Sequence, residues 1–311
     1  MIPKNGNPIL WEELTWKDVD RLTKTMNMAI IPTASCEQHG PHLPLAVDTI
    51  DCYEVAKRVS AKTGVPVVPP LIYGCSQSHG NFPGTLSLRP DTMMKVICEI
   101  SEWLYKSRIR KILILNGHMW NWGPIYSARE NLRYDFPELQ VRVLNWWETT
   151  PTTMSKLVED CPVFPSYIHA NLSETSCVLA ARPELVNMQE AVDEEDYETF
   201  FEYRMDQYSK SGVVGRGATK STAELGEKLF TMVVDALVPM IKNALNEDKP
   251  KSKSTIYENY NNNKNEIKKT NQSSYREKRN SYNHNNKYSR DVENSYARNI
   301  KSRSLTIIKD K

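Results

Sequence analysis

The chain has 311 residues and a formal net charge of +2, a length that accommodates one large domain with an appendage, or two domains. The charge is unevenly spread: 25 Lys/Arg face 32 Asp/Glu before Pro250, and 15 face 6 from Pro250 onward. An acidic body with a basic tail argues against a nucleic-acid-binding core, and no apolar run reaches the roughly 18 residues of a membrane-spanning helix.

The stretch from Met1 to Trp11 lacks the apolar region of a secretory leader. The six cysteines form no C-x-x-C pair, so the expectation is a cytoplasmic protein with reduced thiols. Asn27–Thr33 reads as a strand around Met-Ala-Ile-Ile. Residues 47–62 carry Val47, Ile50, Val55 and Val59 at helical spacing, and Val65–Leu71 is a short β-branched run broken by prolines. Residues 91–106 read as a helix with Val96, Ile97, Ile100 and Leu104 on one stripe. Lys111–Leu115, bounded by Asn116-Gly117, has the form of a buried strand. Residues 124–134 are a helix candidate, Gln140–Asn145 another strand, and residues 172–181 and 219–245 helices. This alternation predicts an α/β fold with a mostly parallel sheet covered by helices on both faces. From about Lys249, Asn, Lys, Ser, Tyr and Arg dominate. Such a segment buries too little apolar surface to offset its ordering entropy and is expected to be disordered. A sharper reading makes it a basic, Tyr-interleaved arm for a polyanion such as RNA.

The chemistry-bearing residues gather at strand ends. Glu37-x-His39 lies on a Gly/Pro-containing loop just past the first strand, where open α/β sheets place ligands, and its two side chains can address two adjacent ions. Asp48 follows at the start of the next helix. Alone, it reads as an ordinary first-turn carboxylate facing the helix dipole. His118 follows the strand at Lys111–Leu115. Of the five histidines before Lys249, His39, His42 and His118 cluster at two strand ends, with His79 in a Gly/Pro-rich loop and His169 before another acidic helix start. Histidine with Asp and Glu suits Zn²⁺, Mn²⁺ or Fe²⁺. In His169-Ala-Asn-Leu-Ser-Glu174, Ser173 is the expected helix N-cap. Glu174 is either a first-turn capping carboxylate or a metal ligand or general base, with His169 able to stabilise or protonate the reacting group. Trp120, Trp122, Trp146 and Trp147 near strand ends read as helix–sheet packing, or as an aromatic wall for a flat substrate.

The run from Pro32 through Glu37, Gln38, His39, Gly40, Pro41 and His42 to Asp48 resembles the metal-binding signature of the creatininase (creatinine amidohydrolase) family. Further blocks fall in the family's order: the stretch from His79 to Leu88, Asn116-Gly117-His118, His169 with Glu174, and Gly212 to Gly226. Several ordered blocks over roughly residues 8–245 form a specific signal. The resemblance implies a three-layer αβα sandwich over residues 1–248, with 249–311 as a tail. It implies two divalent ions, one held by Glu37, Asp48 and His118 and one by His39, a bridging Asp48 and a further carboxylate. It also implies hydrolysis of amide-type C–N bonds in small molecules or modified peptides, and a homo-oligomer, a hexamer by family habit.

Two positions depart from the family pattern. Creatininase itself places a ligand glutamate where this chain has Trp120, so the missing carboxylate is expected from Glu174 and creatinine is not the expected substrate. Asn171 stands where glycine is usual, and a side chain there would narrow or re-polarise the site. The reading is therefore metal-assisted hydrolysis by a metal-activated water. Glu174 relays the proton, His169 stabilises the oxyanion, and His79, Trp120 and Trp147 contact substrate. The alternatives are a maturation peptidase acting on a modified peptide and a metal-binding scaffold that has lost catalysis. Nucleic acid enters only through the tail.

Overall fold

The computed structural model describes residues 6–149, 169–194 and 201–250. From residue 251 the tail expected to be disordered lies outside the described residues, as does Cys161.

Three parallel strands form the sheet in the order β1 (Met28–Thr33), β2 (Lys111–Asn116), β3 (Gln140–Asn145). The register runs from Met28 opposite Lys111 to Thr33 opposite Asn116, and from Lys111 opposite Gln140 to Asn116 opposite Asn145. Every residue of β1 and β2 is buried, as strands covered on both faces require.

The alternation of side chains builds two cores. Met28, Ile30, Leu113 and Leu115 pack with helices α2 (Val47–Thr63) and α7 (Ala223–Leu245). Ala29, Ile31, Ile112 and Ile114 pack with α3 (Pro90–Lys106) and α4 (Trp122–Asp135) on the other face. This is the three-layer αβα sandwich. Among the described residues the remaining α-helices are α1 (Trp16–Leu22), α5 (Leu172–Ala181) and α6 (Met205–Tyr208). Among the described residues no helix is long and apolar enough to cross a membrane.

Two expectations change in detail. The run Val65–Leu71 extends the sheet beside β1 through isolated bridges, Val67 to Ile30 and Leu71 to Thr33, rather than as a full strand. Pro66, Pro69 and Pro70 have no N–H to donate, so only the amides of Val68 and Leu71 bond β1, to the carbonyls of Ile30 and Pro32. The helix expected over 219–245 is broken. Residues Ala218–Lys220 form a short 3-10 turn, Ser221 is extended, and Thr222 caps α7 by accepting from the amide of Leu225.

Lys111 opens β2 and is buried, yet its ammonium is satisfied. Nζ donates to the carbonyls of Ala244, Leu245 and Glu247, each at 2.8 Å. These carbonyls lie at and just past the negative end of α7. Lys111→Met removes one charged donor from three partly buried bonds. Expected is a loss of about 1.5–3 kcal/mol, read as a lower denaturant midpoint at unchanged m-value.

Candidate metal centre and active site

The carboxyl ends of β1 and β2 deliver the site. The chain leaves β1 through Ser35 and turns at Glu37–His39, and it leaves β2 through Gly117 into His118. Gly117 lies against the first turn of α2. A Cβ there would sit 2.7 Å from both the carbonyl oxygen of Asp48 and Cβ of Cys52. Glycine at this point lets the β2 terminus and α2 approach closely enough for His118 to reach Asp48. Asparagines fix the strand ends. Asn116 Nδ2 donates to the carbonyl of His118 and to Asn145 Oδ1, and Asn121 Nδ2 donates to the carbonyl of Ala34.

Asp48 is the centre of the cluster. Its Oδ2 lies 2.9 Å from His118 Nδ1 and accepts from Ser35 Oγ at 2.6 Å, while its Oδ1 lies 3.3 Å from His39 Nε2. Glu37 Oε2 is 3.3 Å from His118 Nε2, and Glu37 Oε1 is 3.8 Å from His169 Nδ1 and 3.6 Å from His79 Nε2. The rings of His39 and His169 are 4.1 Å apart, and those of His79 and His169 4.6 Å. All of these residues are buried.

Three groups place one ligand atom per residue within 4.8 Å of one another: Glu37, Asp48 and His118; His39, Asp48 and Glu174; and Glu37, His39 and His169. The donors suit a divalent cation. Glu37 Oε2 and His39 Nε2 are buried with no hydrogen-bond partner among the described residues, a costly state unless something else faces them. Each of three histidines also turns one ring nitrogen onto a main-chain carbonyl: His39 Nδ1 onto Glu37 (3.1 Å), His118 Nε2 onto Cys75 (3.1 Å) and His169 Nε2 onto Gln38 (2.7 Å). That outer bond fixes the tautomer and leaves the inner nitrogen bare, as metal-ligating histidines require.

Glu174 makes a main-chain contact before the helix and also lies beside two other ligand-type side chains. Its Oε2 accepts from the amide of Ala170 at 2.5 Å, and the same side chain belongs to the group with His39 and Asp48. The expected cap is corrected: Asn171, not Ser173, caps α5. Asn171 Oδ1 accepts from Ser173 and Glu174 amides and from Ser173 Oγ. The Oδ1 of Asn171 thus serves the helix terminus, where the N-cap position precedes Leu172 and Ser173 already lies inside the helix. His42 is buried but bonds Thr175 Oγ1 at 2.9 Å and belongs to none of the three groups. Trp120 borders the α3/α4 core and the small cluster of Met205, Tyr208 and Val214, while Trp147 packs on the α2/α7 core. Ser35 and Gln38 had no sequence signal beyond lying beside ligand-type residues.

Without an ion, protons balance the charge. Burial favours neutral imidazole, but Asp48, Glu174 and Glu37 outweigh it at His39 and raise its pKa to about 10. At His118 burial is likewise outweighed, by Glu37 and Asp48, and the pKa rises to about 9. Burial also opposes ionisation of Asp48, yet His118 and His39 hold that carboxyl well below its usual range. Burial lifts Glu174 to about 7, and burial with the cationic rings of His118 and His39 pushes His79 down to about 3. Burial, with His39 and His79 beside the ring, holds His169 well below the usual imidazole range.

The sign of the pH dependence follows. A raised histidine pKa stabilises the ion-free fold fully below the unfolded value of about 6.5, and that contribution is lost as pH rises through about 9 and 10. Metal binding needs the same rings neutral. Expected for chelator-treated protein is falling stability between pH 7 and 10, with apparent Zn²⁺ affinity rising over that range and protons released on binding. Calorimetry in buffers of different ionisation enthalpy checks this.

A family model for creatininase, described as creatinine amidohydrolase, matches residues 12–241. The chain is 31% identical over 234 residues to a mycofactocin precursor peptide peptidase of Mycolicibacterium smegmatis, covering 71% of this chain and 87% of the relative. It is 29% identical over 251 residues to a creatinine amidohydrolase of Pseudomonas putida, covering 76% and 96%. To a 3-dehydro-scyllo-inosose hydrolase of Thermotoga maritima it is 29% identical, and there the chain spans only 60% of the relative's length. Among solved structures, a manganese creatininase superposes with a TM-score of 0.69 at 26% identity, covering 77% of this chain and all of the other. A creatininase variant of the Zn-Zn type gives 0.67 at the same identity, covering 77% and 99%.

Proposed function

The chain belongs to the creatininase family, and from that premise we propose that it is a metal-dependent amidohydrolase cleaving an amide-type C–N bond in a small molecule or modified peptide. The observation that carries this reading is the shared carboxylate. Asp48 directs one oxygen toward His39 and the other toward His118, and it belongs to two of the three donor groups. We assign one ion to Glu37, Asp48 and His118 and the other to His39, Asp48 and Glu174, with Trp120 standing where creatininase has its carboxylate. Zn²⁺, Mn²⁺ and Fe²⁺ all suit mixed nitrogen and oxygen donors.

Divalent ions held there would supply Lewis acidity, making water a better nucleophile and polarising the amide carbonyl. The remaining work falls to the protein. Glu174, a partly buried carboxylate beside His39 and Asp48, would take a proton from the attacking water and return it to the leaving nitrogen as the C–N bond breaks. His169 faces Glu37 across the reacting centre through Nδ1, and His79, Trp120 and Trp147 are the proposed substrate contacts. Closure of the site by the buried histidines excludes bulk water and strengthens each of these interactions.

The peptidase reading is favoured by one observation, the 31% identity to a precursor peptide peptidase. We also infer a catalytic domain at residues 1–248, a homo-oligomer and a cytoplasmic location. The cysteines are unpaired among the described residues, which supports a reducing compartment.

Asp48→Ala should lose bound metal and lower turnover more than about a hundredfold, measured by elemental analysis and by assay on a panel of cyclic amides and C-terminally modified peptides. Full metal content with near-normal turnover in the variant would remove the assignment. A wild-type protein that holds ions and hydrolyses no amide in the panel would point to a scaffold.

A further inference from the structure

Gln38 sits between two residues of the donor groups, and both ends of its amide are fixed by main chain. Oε1 accepts from the amide of Gly40 at 2.9 Å, and Nε2 donates to the carbonyl of Gly212 at 3.1 Å. Reversing the amide would oppose donor to donor and acceptor to acceptor, so its orientation is determined. The Gly212 loop is built for this contact. Its φ is +82°, and a Cβ would collide with Gln38 Oε1. Glu194 clamps the loop, accepting from the hydroxyls of Ser209 and Ser211 and from the amides of Lys210 and Ser211.

Nε2 of Gln38 has one hydrogen left and two ring nitrogens in reach, His79 Nδ1 at 3.0 Å and His169 Nε2 at 3.1 Å. His169 Nε2 lies 2.7 Å from the carbonyl oxygen of Gln38. A carbonyl can only accept, so that nitrogen carries a hydrogen and cannot receive another. The hydrogen of Gln38 therefore goes to His79 Nδ1, and the hydrogen of the neutral His79 ring is on Nε2. His39, His118 and His169 turn their N–H outward, whereas His79 turns its N–H inward. Glu37 Oε1, at 3.6 Å, is beyond normal hydrogen-bond reach of it.

We propose that Gln38 is a positioning residue that sets these two tautomers, making His79 the hydrogen-bond donor to the amide oxygen as it gains negative charge and leaving His169 an acceptor at the reacting centre. The oxyanion role expected of His169 thereby passes to His79. The inference rests on the amidohydrolase reading for the donor's purpose, but not for the tautomers themselves.

Long-range ¹H–¹⁵N correlation spectra of the full chain labelled with ¹⁵N-histidine report each tautomer directly, in ion-free and in Zn²⁺-loaded protein. Expected are Nε2–H with bare Nδ1 for both His79 and His169, assigned by the loss of one ring system in His79→Leu. In Gln38→Glu the new carboxylate only accepts, and His79 should invert to Nδ1–H. Acetohydroxamate added to the Zn²⁺ form should shift the His79 Nε2–H proton downfield and bind about tenfold more weakly to His79→Leu, as loss of one hydrogen bond to a charged group predicts. Nδ1–H on His79 in the wild type overturns the proposal. So does an unchanged His79 in a folded Gln38→Glu protein, or acetohydroxamate binding that ignores His79. Failure to take up Zn²⁺ would instead count against the metal reading, and the ion-free spectra would still decide the tautomers.

Discussion

The structure is organised around one buried carboxylate with a histidine on each oxygen. Removing a charge like that of Asp48 from water costs several kcal/mol unless partners replace the lost hydration. The fold supplies them. Asp48 occupies the first turn of α2, where the helix dipole favours an anion and no side chain caps the terminus. Ser35 donates to one oxygen, and His118 and His39 face both. Those contacts demand that the ends of β1 and β2 and the start of α2 converge, and the absence of a side chain at Gly117 permits the approach. The sheet register and the two apolar cores hold that convergence fixed.

A second layer tells the histidines apart. Carbonyls of Glu37, Cys75 and Gln38 each claim one ring nitrogen of His39, His118 and His169, so three bare nitrogens point inward beside three carboxylates. In the absence of an ion this arrangement holds protons tightly on His39 and His118. An ion held there would displace those protons from the inward nitrogens. The site is thus a place where positive charge is obligatory, and proton and metal compete for it.

Much of the layer order was legible in the sequence because it rests on local pattern. The continuous apolar runs at β1 and β2 and the helical stripes of α2 and α3 each state their burial directly. Glu37, His39, Asp48 and His118 were legible for another reason: they are rare residue types placed at strand ends, where α/β sheets expose chemistry. What escaped depends on contacts far apart in the chain. Gln38 reads as a spacer until Gly212, His79 and His169 are brought to it. Ser35 reads as a loop residue until Asp48 arrives. Asn171 looked like an intrusion into the site, and its Oδ1 also caps α5. The break before α7 turns on Thr222, one cap within a run of acceptable helix formers.

Glu174 and Trp120 mark the most specific departure of the proposed site from creatininase. Glu174 stands with His39 and Asp48 from the first turn of α5, while Trp120 lies among apolar side chains of two clusters. The most direct test is a crystal structure of the full chain purified without chelator, with anomalous data collected at the absorption edge of the metal that elemental analysis finds. Expected are two peaks per chain, one on either side of Asp48, with Glu174 ligating the ion held by His39. A single peak, or two peaks of which neither contacts Asp48, would contradict the assignment.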